Sequence, residues 1–147
     1  MRIEPCTWKH LDDWASLRHA LWPDATKDMH REEAAALLEQ PDRATAFLAR
    51  TPEGAAAGFA EATLRRDYVN GCTSSPVAFL EGIYVDPPYR RRGVAGLLCR
   101  AVEAWARDRG CSEFASDVEL HNLASQQMHA SLGFEETERV VYFRKPL

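Results

Sequence analysis

The sequence predicts an α/β fold, one mixed sheet flanked by helices, and three features carry that prediction. Val77, Phe79, Ile83 and Val85 supply alternating apolar β-formers, the period-2 pattern of a strand with a buried face. Soon after, Val94, Leu97, Leu98, Ala101, Val102 and Trp105 recur at i, i+3, i+4, i+7, i+8 and i+11, one apolar stripe along a helix. Segments of the two periods then exchange along the whole chain, which places strands and helices around a single sheet.

The elements follow in order. Arg2–Cys6 reads as a short strand. Thr7 is placed to cap a helix through Trp22, with Leu11, Trp14, Leu17 and Leu21 on one side and Pro23 as its stop. Residues 28–40 form a second helix with Ala34, Leu37 and Leu38 inward and Pro41 at its end. Ala44–Arg50 is a strand, Thr51-Pro52-Glu53-Gly54 a turn, and residues 55–65 its hairpin partner. Residues 66–76 are a loop rich in turn formers. Val77–Val85 is the central strand, ended by Pro87 and Pro88, neither of which can donate a ladder hydrogen bond. The striped helix runs to Arg109, with Gly110 as C-cap, and residues 111–116 give another strand. His121 or Asn122 opens a short helix with Ala124, Met128 and Leu132 on one side, closed by Gly133; residues 138–145 supply one or two final strands. The sum is six to seven strands and about four helices in one domain over residues 1–147, with no repeat and no linker.

Composition bounds the function. With 147 residues, 46% hydrophobic and 27% charged, the chain has room for a real core and the balance of a soluble globular protein. No apolar run approaches a membrane span, and the N-terminal stretch lacks the apolar region of a signal peptide, so the cytoplasm is the expected compartment. A net charge of −4 argues against nucleic acid and mildly favours a cationic partner. Cys6, Cys72, Cys99 and Cys111 show neither CxxC nor His-interleaved spacing, so no metal is expected; Cys99 and Cys111 are expected to be buried and reduced.

The chemistry concentrates where the central strand gives way to the helix. Arg90, Arg91, Arg92 and Gly93 stand at the helix start, where the first N–H groups have no intrahelical partner and the dipole favours an anion. Cations there oppose the dipole, so a solvated basic turn explains them poorly and a bound multivalent anion such as a pyrophosphate explains them well. Glycine lets the backbone approach such a ligand. Neither the Walker pattern nor the dinucleotide G-x-G-x-x-G pattern is present.

Arg90-Arg91-Arg92-Gly93-Val94-Ala95 resembles the acetyl-CoA loop, [RQ]-x-x-G-x-[GA], of the GCN5-related N-acetyltransferases. Asn122, followed by a helix ending in Leu132-Gly133-Phe134, resembles that family's last helix and its exit. Leu21-Trp22-Pro23, the stretch Asp67 to Cys72, Phe79-Leu80-Glu81-Gly82-Ile83 and the stretch Gly133 to Arg139 are similar to one subgroup, the aminoglycoside 6′-N-acetyltransferases. The resemblance implies a mostly antiparallel sheet, a bulge near Gly82 and a central strand that splays from its neighbour. The pantetheine arm of acetyl-CoA would lie in that gap.

The resemblance also implies roles. Arg90, Arg91, Arg92, Gly93, Val94 and Ala95 would cradle the pyrophosphate, Ile83, Tyr84 and Val85 would meet pantetheine, and Asn122 with Ser125 would hold the distal arm of CoA. Glu81 is the candidate base, acting through water, or else a salt-bridged strand glutamate; its strand phase opposes that of Phe79 only if a bulge shifts the alternation. The Val85 N–H, released from the ladder, would stabilise the oxyanion. His129 stands where many members carry a tyrosine and is either the acid for the leaving thiolate or a plain helix histidine. For a polycationic acceptor, Trp22 either stacks on a sugar ring or packs in the core, Tyr68 offers a hydroxyl, and Asp117 is a strand-end ligand contact or a turn residue. Glu135, Glu136 and Glu138 form an acidic cluster of which Glu138 would reach substrate, from the partner subunit if the site needs the homodimer that the resemblance implies. A polyamine acetyltransferase and a non-catalytic acyl-CoA-binding module are the rival functions.

Overall fold

The computed structural model describes residues 1–147. Its frame is a five-stranded sheet in simple sequential order: β1 (Arg2–Pro5), β2 (Ala44–Arg50), β3 (Ala56–Arg65), β4 (Val77–Val85) and β5 (Phe114–Ala115). The first four strands are antiparallel and β5 joins β4 in parallel, so the sheet is mixed. Four α-helices accompany it: α1 (Leu11–Leu21), α2 (Lys27–Leu38), α3 (Val94–Asp108) and α4 (Leu123–Ser131).

Helices cover both faces. On one, Leu11, Trp14 and Leu17 of α1 and Ala34 of α2 bury against Ala46, Leu48 and Phe59. On the other, Val94, Leu98, Cys99 and Val102 of α3 bury against Ala60, Ala62, Leu80, Ile83 and Val85, and Met128 and Leu132 of α4 pack beside them. Trp14, Phe59, Leu48, Leu98 and Val102 are almost wholly out of water; truncating such a side chain costs about 2–5 kcal/mol.

Five expectations need correction. The sheet has five strands where the sequence suggested six to seven. Residues 138–145 form no strand, and Val141, Tyr142 and Phe143 are 75%, 82% and 93% exposed; β5 is only two residues long and presents no ladder for them to join. The strand expected over residues 111–116 shrinks to Phe114–Ala115: the Cys111 N–H is taken by the Ala106 carbonyl at the end of α3 (3.0 Å), and Glu113 meets β4 only through its carbonyl, which accepts from the Ala78 N–H (3.2 Å). The first helix also starts late: Trp8–His10 is a 3-10 turn, closed by the Thr7 N–H donating to His10 Nδ1 (2.8 Å), and α1 begins at Leu11. Cys99 is buried, while Cys111 is only half-buried; all four thiols are free.

Candidate active site

The register of β4 builds the site. Glu61 of β3 faces Gly82, yet the next residue, Ala62, faces Leu80, so Glu81 is the extra residue of a β-bulge. The bulge keeps Glu81 on the same face as Phe79 and separates it from Ile83, the reverse of the phase expected from the sequence. Thr63 Oγ1 donates to Glu81 Oε1 (2.7 Å), and Arg65 Nη2 reaches both carboxylate oxygens (2.9 and 3.2 Å) while its guanidinium lies 3.5 Å from the Phe79 ring centroid. The salt-bridged strand glutamate is therefore real, and the same carboxylate lines a cleft.

That cleft opens because β4 and β5 part almost at once. They pair at Ala78–Phe114 and Phe79–Ala115 and no further. The Asp86 N–H donates to the Ala57 carbonyl across the β3 side (2.9 Å). By antiparallel alternation, Tyr84 also turns its backbone toward β3, whereas Ile83 and Val85 turn theirs to the side where β5 has ended. The N–H of Val85 thus faces the gap, free of the β3 ladder. Tyr84 has a different part: its ring packs toward α1 and α2 and lies 5.4 Å below the Arg90 guanidinium, and burial with the neighbouring Asp86 pushes its phenol up.

The cleft holds about 150 Å³ and brings together Trp22, Glu81, Gly82, Ile83, Ser116, Asp117, Asn122, Ser125 and His129. Trp22, at the end of α1, packs in the core and also lines the cleft. Its ring is edge-on to Phe59 at 6.1 Å and stacked with His30 at 6.2 Å, and its outer edge forms the cleft wall over Gly82. A Cβ at Gly82 would stand 2.4 Å from Trp22 Cη2, so only glycine fits beneath the indole. A larger cleft of about 240 Å³, between Pro5, Leu38, Phe47 and Trp105, is mostly apolar and contains no acid–base pair.

Behind Trp22 lies a largely buried polar network that no pattern in the sequence marks. Arg18 joins Glu61 and Glu33, its Nε donates to His30 Nδ1 (3.3 Å), and Trp14 Nε1 donates to Glu61 Oε2 (3.0 Å). Burial pushes the Glu61 carboxyl up against the opposing pull of Arg18 and Trp14. The other imidazole nitrogen of His30 lies 2.8 Å from the Trp22 carbonyl, so the network fixes the end of α1 where the indole is needed.

At the far side of the cleft, His129 of α4 is tied on both ring nitrogens. Nδ1 lies 2.7 Å from the Ser125 carbonyl and Nε2 lies 2.8 Å from Ser116 Oγ. Ser116 carries no sequence signal beyond being a hydroxyl at a strand exit. Asn122 caps α4, accepting from the Ser125 N–H (3.1 Å). Asp117 is exposed on the rim.

The arginine loop closes the C-terminal end of β4. Gly93 is the left-handed N-cap of α3 (φ 76°), and Arg91, without glycine's freedom, also takes a positive φ of 60°. A β-carbon at Gly93 would touch nothing, so glycine is required there by conformation rather than space. The Arg90 Nε donates to the Val85 carbonyl (2.6 Å), anchoring the loop to the strand. None of the ion pairs uses Arg90, Arg91 or Arg92. Two left-handed residues, guanidinium groups outside any ion pair and the N–H groups of Val94 and Ala95 at the mouth of a fifteen-residue helix form a concavity suited to an anion.

Two predicted substrate residues lie outside this cleft. Tyr68 is 75% exposed on the 66–76 loop, and Glu138 is exposed in the C-terminal tail. The loop itself is fastened by Glu113, another residue the sequence left unmarked: its carboxylate accepts from the N–H groups of Thr73 (2.9 Å) and Ser74 (2.8 Å). No group of three or more His, Cys, Asp or Glu side chains could hold a metal ion, and no helix is long and apolar enough to cross a membrane.

The chain matches the model of the acetyltransferase (GNAT) family over residues 9–134. It is 54% identical over 142 residues to an aminoglycoside N(6′)-acetyltransferase type 1 of Serratia marcescens, covering 97% of each chain. A Salmonella typhimurium protein of the same name is 50% identical, with 99% of each chain covered. Among solved structures, AAC(6′)-Iy in complex with the bisubstrate analogue CoA-S-monomethyl-acetylneamine superposes with a TM-score of 0.93 at 47% identity, covering 99% of this chain and 98% of that one. The antibiotic 6′-N-acetyltransferase AAC(6′)-Ih of Acinetobacter baumannii gives a TM-score of 0.94 at 49% identity, with the same coverage. Splayed strand, bulge and arginine loop stand in the order that the resemblance implied, and the chain belongs to the GNAT family of acetyltransferases.

Proposed function

We propose that this protein transfers the acetyl group of acetyl-CoA to the 6′-amine of aminoglycosides and so confers resistance to them. The observation that carries the proposal is the parting of β4 from β5 beside Glu81, with the Ile83 and Val85 backbones turned into the gap and the arginine loop at its end. Relatives about half identical over their full length, one of them bound to a CoA–aminoglycoside conjugate, supply the acceptor class.

Each residue then has a task. Arg90, Arg91, Arg92, Gly93, Val94 and Ala95 hold the pyrophosphate by charge, loop curvature and helix N–H groups. Ile83 and Val85 add the pantetheine arm as a strand would be added, and Asn122 and Ser125 meet its far side. Glu81 accepts a hydrogen bond from the incoming amine or from a water that takes its proton, and the Val85 N–H stabilises the tetrahedral oxyanion. Trp22 and Asp117 at the cleft, with Tyr68 and Glu138 from beyond it, position the cationic rings. The single domain works as a homodimer in the cytoplasm. Supporting the dimer are the bare apolar tail at Val141, Tyr142 and Phe143 and the placement of Glu138 outside its own cleft; the four free thiols suit a reducing compartment.

The test compares kcat/KM for tobramycin and for spermidine by CoA release. A preference for tobramycin of at least about tenfold supports the assignment. Preference for spermidine would make drug acetylation incidental, and tight acetyl-CoA binding without transfer to either would reduce the protein to an acyl-CoA-binding module.

A further inference from the structure

The hydroxyl of Ser116 and the imidazole of His129 form a pair aimed at the point where β4 and β5 separate. Ser116 is the first residue beyond the last strand pair, Phe79–Ala115. Its Oγ stands 2.8 Å from His129 Nε2 and 3.4 Å from the Leu80 carbonyl, bridging the mouth of the gap. His129 Nδ1 lies 2.7 Å from the Ser125 carbonyl. A carbonyl only accepts, so Nδ1 carries a proton in either charge state and Nε2 is the nitrogen whose protonation changes. With Nε2 bare, it accepts from the Ser116 hydroxyl. With Nε2 protonated, it donates to Oγ and the hydroxyl proton turns to the Leu80 carbonyl at the mouth of the gap, a long hydrogen bond (3.4 Å) that a thiolate arriving there can replace. Both residues line the cleft that contains Glu81.

We propose that Ser116 is a catalytic residue, the immediate proton donor to the leaving CoA thiolate, with His129 behind it as the proton source. This rests on acetyl-CoA lying in the β4–β5 gap as proposed above. When the tetrahedral intermediate collapses, the C–S bond breaks and its electron pair goes to sulfur. The Ser116 Oγ–H proton passes to sulfur, giving the CoA thiol, while the Nε2–H proton of the His129 imidazolium passes to Oγ and restores the hydroxyl. The neutral imidazole keeps its Nδ1–H on Ser125 and is recharged by a proton from solvent. That proton balances the one the attacking amine lost on the Glu81 side. The two proton transfers thereby use different groups, so the base need not return its proton to the leaving group.

A donor that leaves without a proton separates this role from a structural one. Acetyl-CoA and its selenoester counterpart, acetyl-seleno-CoA, are compared in rapid-quench single turnovers with tobramycin, because a selenolate is a much weaker base than a thiolate and its departure needs no acid. Ser116→Ala is expected to lose on the order of 10²-fold in rate with acetyl-CoA but no more than about threefold with the selenoester, with an unchanged acetyl-CoA Kd. His129→Gln, which leaves β5 untouched, is expected to show the same donor dependence and provides the test should Ser116→Ala fold poorly. Equal losses with both donors, or no loss with acetyl-CoA, overturn the relay and leave the pair as a clasp between α4 and β5. A wild-type protein that transfers no acetyl group in the same quench would overturn the assigned reaction itself.

Discussion

Glu81 and Gly82 divide the work of one bulge. The extra residue presents a carboxylate to the cleft while its neighbour gives up its side chain so that Trp22 can lie against the strand. Glu81→Gln keeps the size of the side chain and removes its charge. Steady-state kinetics should then show kcat lower by about 10²-fold, with acetyl-CoA affinity within about twofold of wild type. An unchanged kcat would remove Glu81 from the chemistry and leave it as a partner of Arg65. Gly82→Ala tests the neighbour. Its Cβ would collide with ring atoms at 2.4 and 2.6 Å, and displacing a ring held by His30 and Phe59 should cost about 1–3 kcal/mol of stability. The acceptor KM should rise more than that of acetyl-CoA, with a shift in tryptophan fluorescence reporting the moved indole. Equal changes in the two KM values would place Trp22 in the core alone.

At the scale of elements, the loop into α3 shows strain retained at a functional place. Arg91 is held at φ 60°, a conformation that costs a residue with a side chain about 1–2 kcal/mol. Arg91→Gly should therefore raise the Tm while weakening acetyl-CoA several-fold in calorimetry; a fall in both would mean that Arg91 supports the fold rather than the ligand. The 66–76 loop is governed by Glu113. Hydrogen bonds from the Ser74 hydroxyl and from the Thr73 and Ser74 N–H groups hold its carboxyl below the ordinary glutamate range. A carboxyl lowered on folding stabilises the fold at pH above its unfolded value, and that contribution is lost as pH falls through the lowered folded one. Glu113→Ala should melt a few degrees below wild type at neutral pH, with the gap closing under acid conditions, as followed by circular dichroism across pH. A gap that is constant with pH would deny the carboxylate this role.

These elements also mark how far the sequence could be read. The strands of residues 44–50 and 77–85 and the helix from Val94 were plain because each buries a periodic apolar face within its own segment. The arginine loop was plain because its charge contradicts the helix dipole. The final strands were misjudged because Val140 to Phe143 have strand-forming side chains but no neighbouring ladder in this chain, and local propensity says nothing about partners. Ser116 and Glu113 were invisible for a related reason: a single hydroxyl or carboxylate acquires meaning only from residues far away in sequence, His129 in one case and Ser74 in the other. The phase of Glu81 depended on where the register skips, which only the pairing with β3 decides.

Over the whole molecule, the sheet and its two helical layers set a cleft and an arginine loop along one strand. In the proposed reaction CoA runs from the arginine loop down to the β4–β5 fork, and the acceptor enters where Trp22, Glu81 and Asp117 line the cleft. The net charge of −4 suits a polycationic acceptor, and the arginine loop suits an anionic group at the other end of the strand. The most direct measurement is to incubate the protein with acetyl-CoA and tobramycin and locate the acetyl group in the product by NMR. The account predicts a singly acetylated product modified at the 6′-amine with rapid turnover. Acetylation at another amine, or none, would contradict it.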